Sequence, residues 1–215
     1  MNKIAIVGAG GFGREVQMLI EDINGQKDTW QFIGYFDDGI ESGLIVNSNS
    51  VLGGIVELNQ WKEKLHVVIA IGNPVTKKYI RRRINNSNIA FASLIHPSVI
   101  IDKQTSNIDD GCIICAGNIL TVNINIGKFV ILNLACTVGH DTFIGDYCSV
   151  MPGVNLSGEV VLRNSVYVGT GAKIINQIEI GEETIVGAGA VVSKSLPPFC
   201  TAVGVPAKVV KINNG

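Results

Sequence analysis

From Ile108 to Val192 every sixth residue is aliphatic, an unbroken series through Ile114, Leu120, Ile126, Leu132, Val138, Ile144, Val150, Leu156, Leu162, Val168, Ile174, Ile180 and Val186. An amphipathic helix repeats near 3.6 residues and a half-buried strand at 2, so a sustained period of six fits neither. Short strands joined by sharp turns fit it. A second register, four residues after each aliphatic, is mostly small or β-branched: Cys112, Ile124, Val130, Cys136, Thr142, Cys148, Val154, Val160, Val166, Ala172, Ile178, Thr184 and Ala190. Both registers are expected to face an interior. Gly often follows the aliphatic, as in Val138-Gly139 and Ile144-Gly145, where the backbone is expected to need freedom to turn. The predicted architecture is a hexapeptide β-helix, a prism whose coils stack one sheet spacing apart, roughly 4.8 Å. The series extends weakly upstream through Ile95 and Ile101, with one residue inserted before Ile108, so His96-Pro97 marks the start of the prism.

The first ninety or so residues follow different rules. Ile4 to Val7 reads as a buried strand, Gly8 to Gly13 as a glycine turn, and Arg14 to Glu21 as a helix with Val16, Leu19 and Ile20 inward. Gln31 to Phe36 and Val67 to Ile71 are further strands, Val75 to Ile84 is a basic helix, and Phe91 to Ile95 is the last strand. A small, mostly parallel α/β domain of Rossmann-like character over residues 1–94 therefore precedes an all-β prism over 95–215.

Composition bounds the function. With 47% hydrophobic residues, 25 glycines and only 6% aromatics, the chain is a folded, strand- and turn-rich protein. A net charge of −1 gives no global attraction to nucleic acid or an anionic membrane. No apolar stretch approaches a membrane span, the first residues lack a signal peptide's apolar core, and five cysteines suit a reducing compartment, so a cytoplasmic location is expected. Cys112 and Cys115 form a lone C-x-x-C that reads as buried small residues; no metal is expected.

Gly8 to Gly13 matches G-x-G-x-x-G between a strand and a helix, and its loop amides and helix N-terminus can meet a phosphate or a neighbouring polar group. Fewer than a hundred residues precede the prism, too few for the two halves of a dinucleotide fold, so a nucleotide sugar is favoured over NAD. Gly10, Gly11, Phe12 and Gly13 are the candidate contacts there. Asp37-Asp38 and Gly72-Asn73 end two other strands on the edge where open α/β sheets place ligands, though a solvated turn would have the same residues. The run Lys77-Lys78 and Arg81-Arg82-Arg83 reads as a solvated helix face. His140, in Val138-Gly139-His140-Asp141, lies two residues after an inward position and is expected to face out, where an imidazole can act as a general base. Asp141 can orient that ring.

These residues together resemble the bacterial hexapeptide-repeat acyltransferases that join a short nucleotide-sugar-binding domain to a left-handed β-helix. The closest likeness is to the N-acetyltransferases of the bacillosamine pathway and to the sialic acid O-acetyltransferases. It rests on Gly8-Ala9-Gly10-Gly11-Phe12-Gly13-Arg14, Asp37-Asp38, Ala70-Ile71-Gly72-Asn73, Gly139-His140-Asp141 and the tail Val203-Gly204-Val205-Pro206-Ala207-Lys208. The resemblance implies a homotrimer that uses acetyl-CoA, with His140 as base and Asp141 beside it. It implies backbone contacts to acetyl-CoA at Gly158, Thr170 and Ala188 in a cleft between subunits, with Pro206 and Lys208 beside the nucleotide end. Ser149 falls near the thioester, where the bacillosamine enzymes carry a second histidine, and Phe12 replaces a histidine common in the glycine loop. The acceptor so implied is a UDP-linked 4-amino-4,6-dideoxy sugar. O-acetylation of a sialic acid and a non-catalytic assembly scaffold are the alternatives; a γ-type carbonic anhydrase would need three site histidines, and the repeats carry one.

Overall fold

The structure, a computed structural model, describes residues 1–212. The last three residues of the predicted second domain lie outside that range. In the first domain β1 (Asn2–Val7), β2 (Trp30–Phe36), β4 (Asn49–Gly53), β5 (Leu65–Ile69) and β6 (Ile89–Phe91) run parallel, while β3 (Ile45–Val46) pairs antiparallel with β4. The order is β3-β4-β2-β1-β5-β6. Three helices flank the sheet: α1 (Gly11–Gln26), α2 (Ile55–Asn59) and α3 (Pro74–Arg83). Val16, Leu19 and Ile20 of α1 are buried as the periodicity required. The hairpin of β3 and β4 and the short α2 went unread in the sequence.

From Leu94 onward, two-residue strands stack into three parallel faces, nineteen residues apart from Leu94 to Ile113 and from Ile100 to Ile119 and eighteen apart from Asn107 to Asn125 and in the coils above. The first face holds Ile113–Ile114, Ile131–Leu132, Ser149–Val150, Tyr167–Val168 and Ile185–Val186; the second Ile119–Leu120, Thr137–Val138, Asn155–Leu156, Lys173–Ile174 and Val191–Val192; the third Asn125–Ile126, Phe143–Ile144, Val161–Leu162 and Glu179–Ile180. The second residue of each pair points inward, and both predicted registers line one continuous core. At the far end Cys200–Val203 joins the first face and pairs antiparallel with Lys208–Ile212. The expected strand Phe91–Ile95 is broken. Leu94–Ile95 pairs with Ile113–Ile114, so these two residues are the first rung of the prism and the boundary falls before Leu94.

The glycines after the aliphatics serve a different purpose from the one expected. The left-handed backbone falls two residues later, at Phe129, Asp141 and Tyr147, with φ of 56°, 56° and 61°. Gly139 is required by space: a Cβ there would lie 2.6 Å from the Gly158 nitrogen of the next coil. Stacking at one strand spacing leaves no room for a side chain pointing along the prism axis.

The two domains share cores. Val16, Leu19 and Ile20 cluster with Ile113 and Ile131, outward residues of the first face, and on the opposite side of the sheet Ile55, Leu58 and Ile84 cluster with Phe129. Outward apolar side chains on one prism face are thus covered by the α/β domain, and α3 lies along the edge between the third and first faces.

Candidate functional site

The ends of β1, β2 and β5 meet at one cleft, while Gly72 and Asn73 line a neighbouring cavity. A cleft of about 110 Å³ is lined by Gly8, Asp37, Asp38, Ile55, Ile71 and Ile80. The Asp37 carboxylate accepts from Ala9 N–H at 2.8 Å and Gly39 N–H at 2.9 Å, so it pins the glycine loop to β2. Asp38 accepts from Ile55 N–H at 2.8 Å, the first residue of α2, and from Arg83 Nη1 at 2.6 Å. The Ile55 amide, then Arg83, hold its carboxyl below the usual carboxylate range. Both aspartates therefore spend oxygens on shaping the cleft. Gly13 lets α1 approach β1, since a Cβ would overlap the Gly8 carbonyl oxygen. Phe12 is half-buried against the α1 core, and Gly10 and Gly11 open the helix.

Beside this cleft, a larger cavity of about 570 Å³ lies between the start of α3 and the first prism face. Gly72, Asn73, Pro74 and Val75 form one wall; Met151, Ser165, Tyr167, Glu183 and Ile185 form the other. Asn73 caps α3 by accepting from Thr76 N–H at 2.9 Å, and Pro74 occupies the first helical turn where a missing N–H does no harm. Ser165 Oγ, buried in the prism wall, has no hydrogen-bond partner among the described residues.

α3 is not a solvated basic face. Lys77 is 1% exposed, and its Nζ donates to Ser149 Oγ at 3.0 Å and to the Cys148 carbonyl at 3.2 Å. Burial pulls the ammonium down to about 7. Lys78 reaches Glu183 at 3.5 Å, and the Arg81 guanidinium stands 4.3 Å from the Phe91 ring centroid. Ser149 is corrected by the same contact: it is fully buried beneath α3, so it faces no cofactor cleft within the chain. A period-six reading makes Ser149 outward, but only the docking of α3 reveals that outward here means covered. Lys77 was legible as a departure only to the extent that it sits on the same helical stripe as the apolar positions Ile80 and Ile84.

His140 lies on the edge between the second and third faces, with its side chain 56% exposed as expected. Its Nδ1 is 2.8 Å from Asp141 Oδ2. The other carboxylate oxygen accepts from Asn123 Nδ2 at 2.8 Å. The hydrogen bonds from His140, first, and Asn123 hold the Asp141 carboxyl below its ordinary value. The imidazole lies across Gly158, where a Cβ would come 2.5 Å from Cε1; Gly158 is buried and seats the ring. Thr170 and Ala188 are exposed on another edge, between the first and second faces, and Pro206 and Lys208 are exposed at the far end. Within one chain the predicted residues therefore fall on separate edges. The imidazole and the 570 Å³ cavity are on different edges too.

Cys112 and Cys115 are buried, and burial pushes both thiols up to about 12, as it does Cys148. Such thiols are inert as nucleophiles or ligands. Among the described residues no cluster of three or more His, Cys, Asp or Glu could hold a metal, and no helix is long and apolar enough to cross a membrane.

Comparison with known proteins bears on both halves. Residues 3–84 match the family described as PglD N-terminal domain. A GDP-perosamine N-acetyltransferase of Escherichia coli O157:H7 is 32% identical over 189 residues, covering 88% of this chain and 85% of that protein. PerB from Caulobacter crescentus, solved with CoA and GDP-perosamine, superposes with a TM-score of 0.87 at 28% identity over 98% of both chains. The acetyltransferase domain of PglB from Neisseria gonorrhoeae FA1090, solved with acetyl coenzyme A, gives 0.86 at 29% identity over 98% of this chain and 100% of that one. The match over most of both chains shows the family: the chain belongs to the hexapeptide-repeat sugar N-acetyltransferases with a PglD N-terminal domain.

Proposed function

We propose that this chain transfers the acetyl group of acetyl-CoA to the 4-amino group of a nucleoside-diphosphate sugar, with His140 as general base. The observation that carries the mechanism is the His140–Asp141 contact of 2.8 Å on an exposed edge. With Nδ1 held by the carboxylate, Nε2 is the nitrogen left to take a proton. The amine attacks the thioester carbonyl as Nε2 accepts its proton. Collapse of the tetrahedral adduct releases the thiolate of CoA, which the imidazolium can reprotonate.

The nucleotide is assigned to the cleft at Gly8, Asp37, Asp38 and Ile71, and the sugar to the adjoining cavity between the start of α3 and the first prism face, walled by Asn73 and Tyr167. Likeness to a GDP-perosamine enzyme over most of the chain favours GDP, where the resemblance to the bacillosamine enzymes had suggested UDP. The separation of cavity and imidazole on different edges supports a homotrimer: around a threefold axis, a neighbour's edge supplies His140 and Gly158 to this chain's cavity, with Thr170 and Ala188 along the CoA path. Five buried, unpaired thiols support a reducing, cytoplasmic setting.

The test is product mass and thiol release with acetyl-CoA and GDP-, UDP- or dTDP-linked 4-amino sugars or CMP-sialic acid. An N-acetylated GDP-sugar supports the proposal. A UDP or dTDP product overturns the choice of GDP, acetylation of sialic acid alone overturns the acceptor class, and no turnover with any acceptor favours a scaffold. His140→Ala should lower kcat by roughly 10²- to 10⁴-fold, the contribution of a positioned base. Unchanged kcat would place the base elsewhere.

A further inference from the structure

The edge that carries His140 is a column of stacked turns. Thr105, Asn123, Asp141, Glu159 and Gln177 recur every eighteen residues, and the last four adopt left-handed backbone with φ of 57°, 56°, 59° and 60°. Equivalent side chains one coil apart are neighbours in space, so each can bond the next. Thr105 Oγ1 donates to Asp102 Oδ2 at 2.7 Å and accepts from Asn123 N–H at 2.9 Å; Asn123 Nδ2 then donates to Asp141 Oδ1 at 2.8 Å. On the far side, Glu159 N–H donates to the His140 carbonyl at 2.7 Å, and Glu159's own carboxylate turns to Gln177 Nε2 at 3.3 Å.

We infer that Asn123 is a positioning residue for the His140–Asp141 pair, acting through Asp141 from the coil below. A carboxylate on an exposed turn is free to rotate, and either oxygen can face water or the imidazole. Asn123 removes that freedom by occupying Oδ1, which leaves Oδ2 against His140 Nδ1. The Asn123 backbone is itself fixed by Thr105, so the orientation is set two coils away from the ring. Among the described residues the Asp141 carboxylate bonds to the imidazole and to the Asn123 amide and to no Lys or Arg, so beside the imidazole the amide is the group that steadies the anion. Asparagine suits the position twice, since it tolerates the left-handed backbone and carries the donor.

The inference rests on His140 as base, and its test separates the two ideas. Asn123→Gly keeps the turn and deletes the amide; Asn123→Asp keeps size and turn preference but sets a second carboxylate against Asp141. Both should lower kcat about 3- to 10-fold, the range of one hydrogen bond to a working group, with KM for acetyl-CoA unchanged. In an Asp141→Asn background Asn123→Gly should have no further effect, because residues that act as one unit do not add. Carboxyl-carbon NMR should show Asp141 titrating at higher pH in Asn123→Gly, since the amide is one of the two bonds that lower it. An additive kcat loss in the Asp141→Asn background, or an Asp141 titration that does not move, overturns the role of Asn123. An active His140→Ala enzyme overturns the base instead and leaves the Asp141 titration as a valid reading.

Discussion

Replacing Lys77 by methionine should strengthen the fold at low pH and weaken it at high pH. The side chain is buried between α3 and the first prism face, with two acceptors for its Nζ and only the thiols of Cys148 and Cys112 as titratable neighbours. Those thiols, pushed up to about 12, stay neutral across the range in question. The lysine titrates near 10.5 when unfolded and about 7 when folded. Between these values the unfolded chain binds more protons, so stability rises with pH; below about 7 both states are protonated and the burial penalty is complete. Linkage over that interval makes the penalty on the order of 4–5 kcal/mol at pH 6 and under about 1 kcal/mol at pH 10. Methionine removes the penalty and fills similar space, but leaves the buried Ser149 hydroxyl without its partner, which costs about 1–3 kcal/mol, while the Cys148 carbonyl keeps the Ile131 N–H. The penalty exceeds that loss at pH 6 and falls below it at pH 10. Urea midpoints of both proteins at pH 6, 8 and 10, at one protein concentration and with m-values compared, measure the difference. A Lys77→Met midpoint lowered equally at every pH would refute the reasoning, because it would mean that the buried amine makes bonds worth more than its desolvation.

Gly158→Ala should displace the His140 ring and lower kcat at least about tenfold while the fold persists, read by steady-state kinetics beside circular dichroism. Gly13→Ala should cost several kcal/mol, on the order of an overpacked core site, because a Cβ there overlaps the Gly8 carbonyl; thermal unfolding checks it. Asp38→Asn should flatten part of the acid limb of stability: the folded carboxyl titrates below its unfolded value, so its contribution is present above the unfolded pKa and lost as pH falls through the folded one. Comparing the two proteins' midpoints between pH 3 and 7 tests this.

The prism was legible because its constraint is strictly local. An inward side chain at Val138 or Leu162 must be aliphatic whatever surrounds the coil, so period six alone predicts the core, and the buried positions agree. The strand expected over Phe91–Ile95 was misread for the complementary reason: a two-residue strand such as Leu94–Ile95 carries too little pattern to show which neighbour it pairs with. The hairpin at Ile45–Gly53 was missed because Asn47 and Ser48 turn it with φ of 44° and 66°, a conformation that their identities permit without announcing. His140 and Asp141 were legible since adjacent residues on one turn stay adjacent in the fold.

What sequence could not supply is the outer environment of each prism face, and the two misread residues, Lys77 and Ser149, are the two sides of one contact. The lysine was assigned from its own segment to a basic helix face, and the serine was placed near the thioester by the family resemblance. Their burial depends on α3 lying along a prism edge seventy-two residues away in sequence. The same docking sets Gly72–Val75 opposite Ser165 and Tyr167, so the cavity assigned to the acceptor sugar exists only once the two domains are joined. Asn123 belongs to this class too: eighteen residues from Asp141, it becomes a neighbour through the coil repeat, which is why period six predicts its place in the column while giving no hint of its partner. In a solenoid, the residues to read for function are those one full coil from a catalytic group, since stacking makes sequence distance of eighteen equivalent to contact.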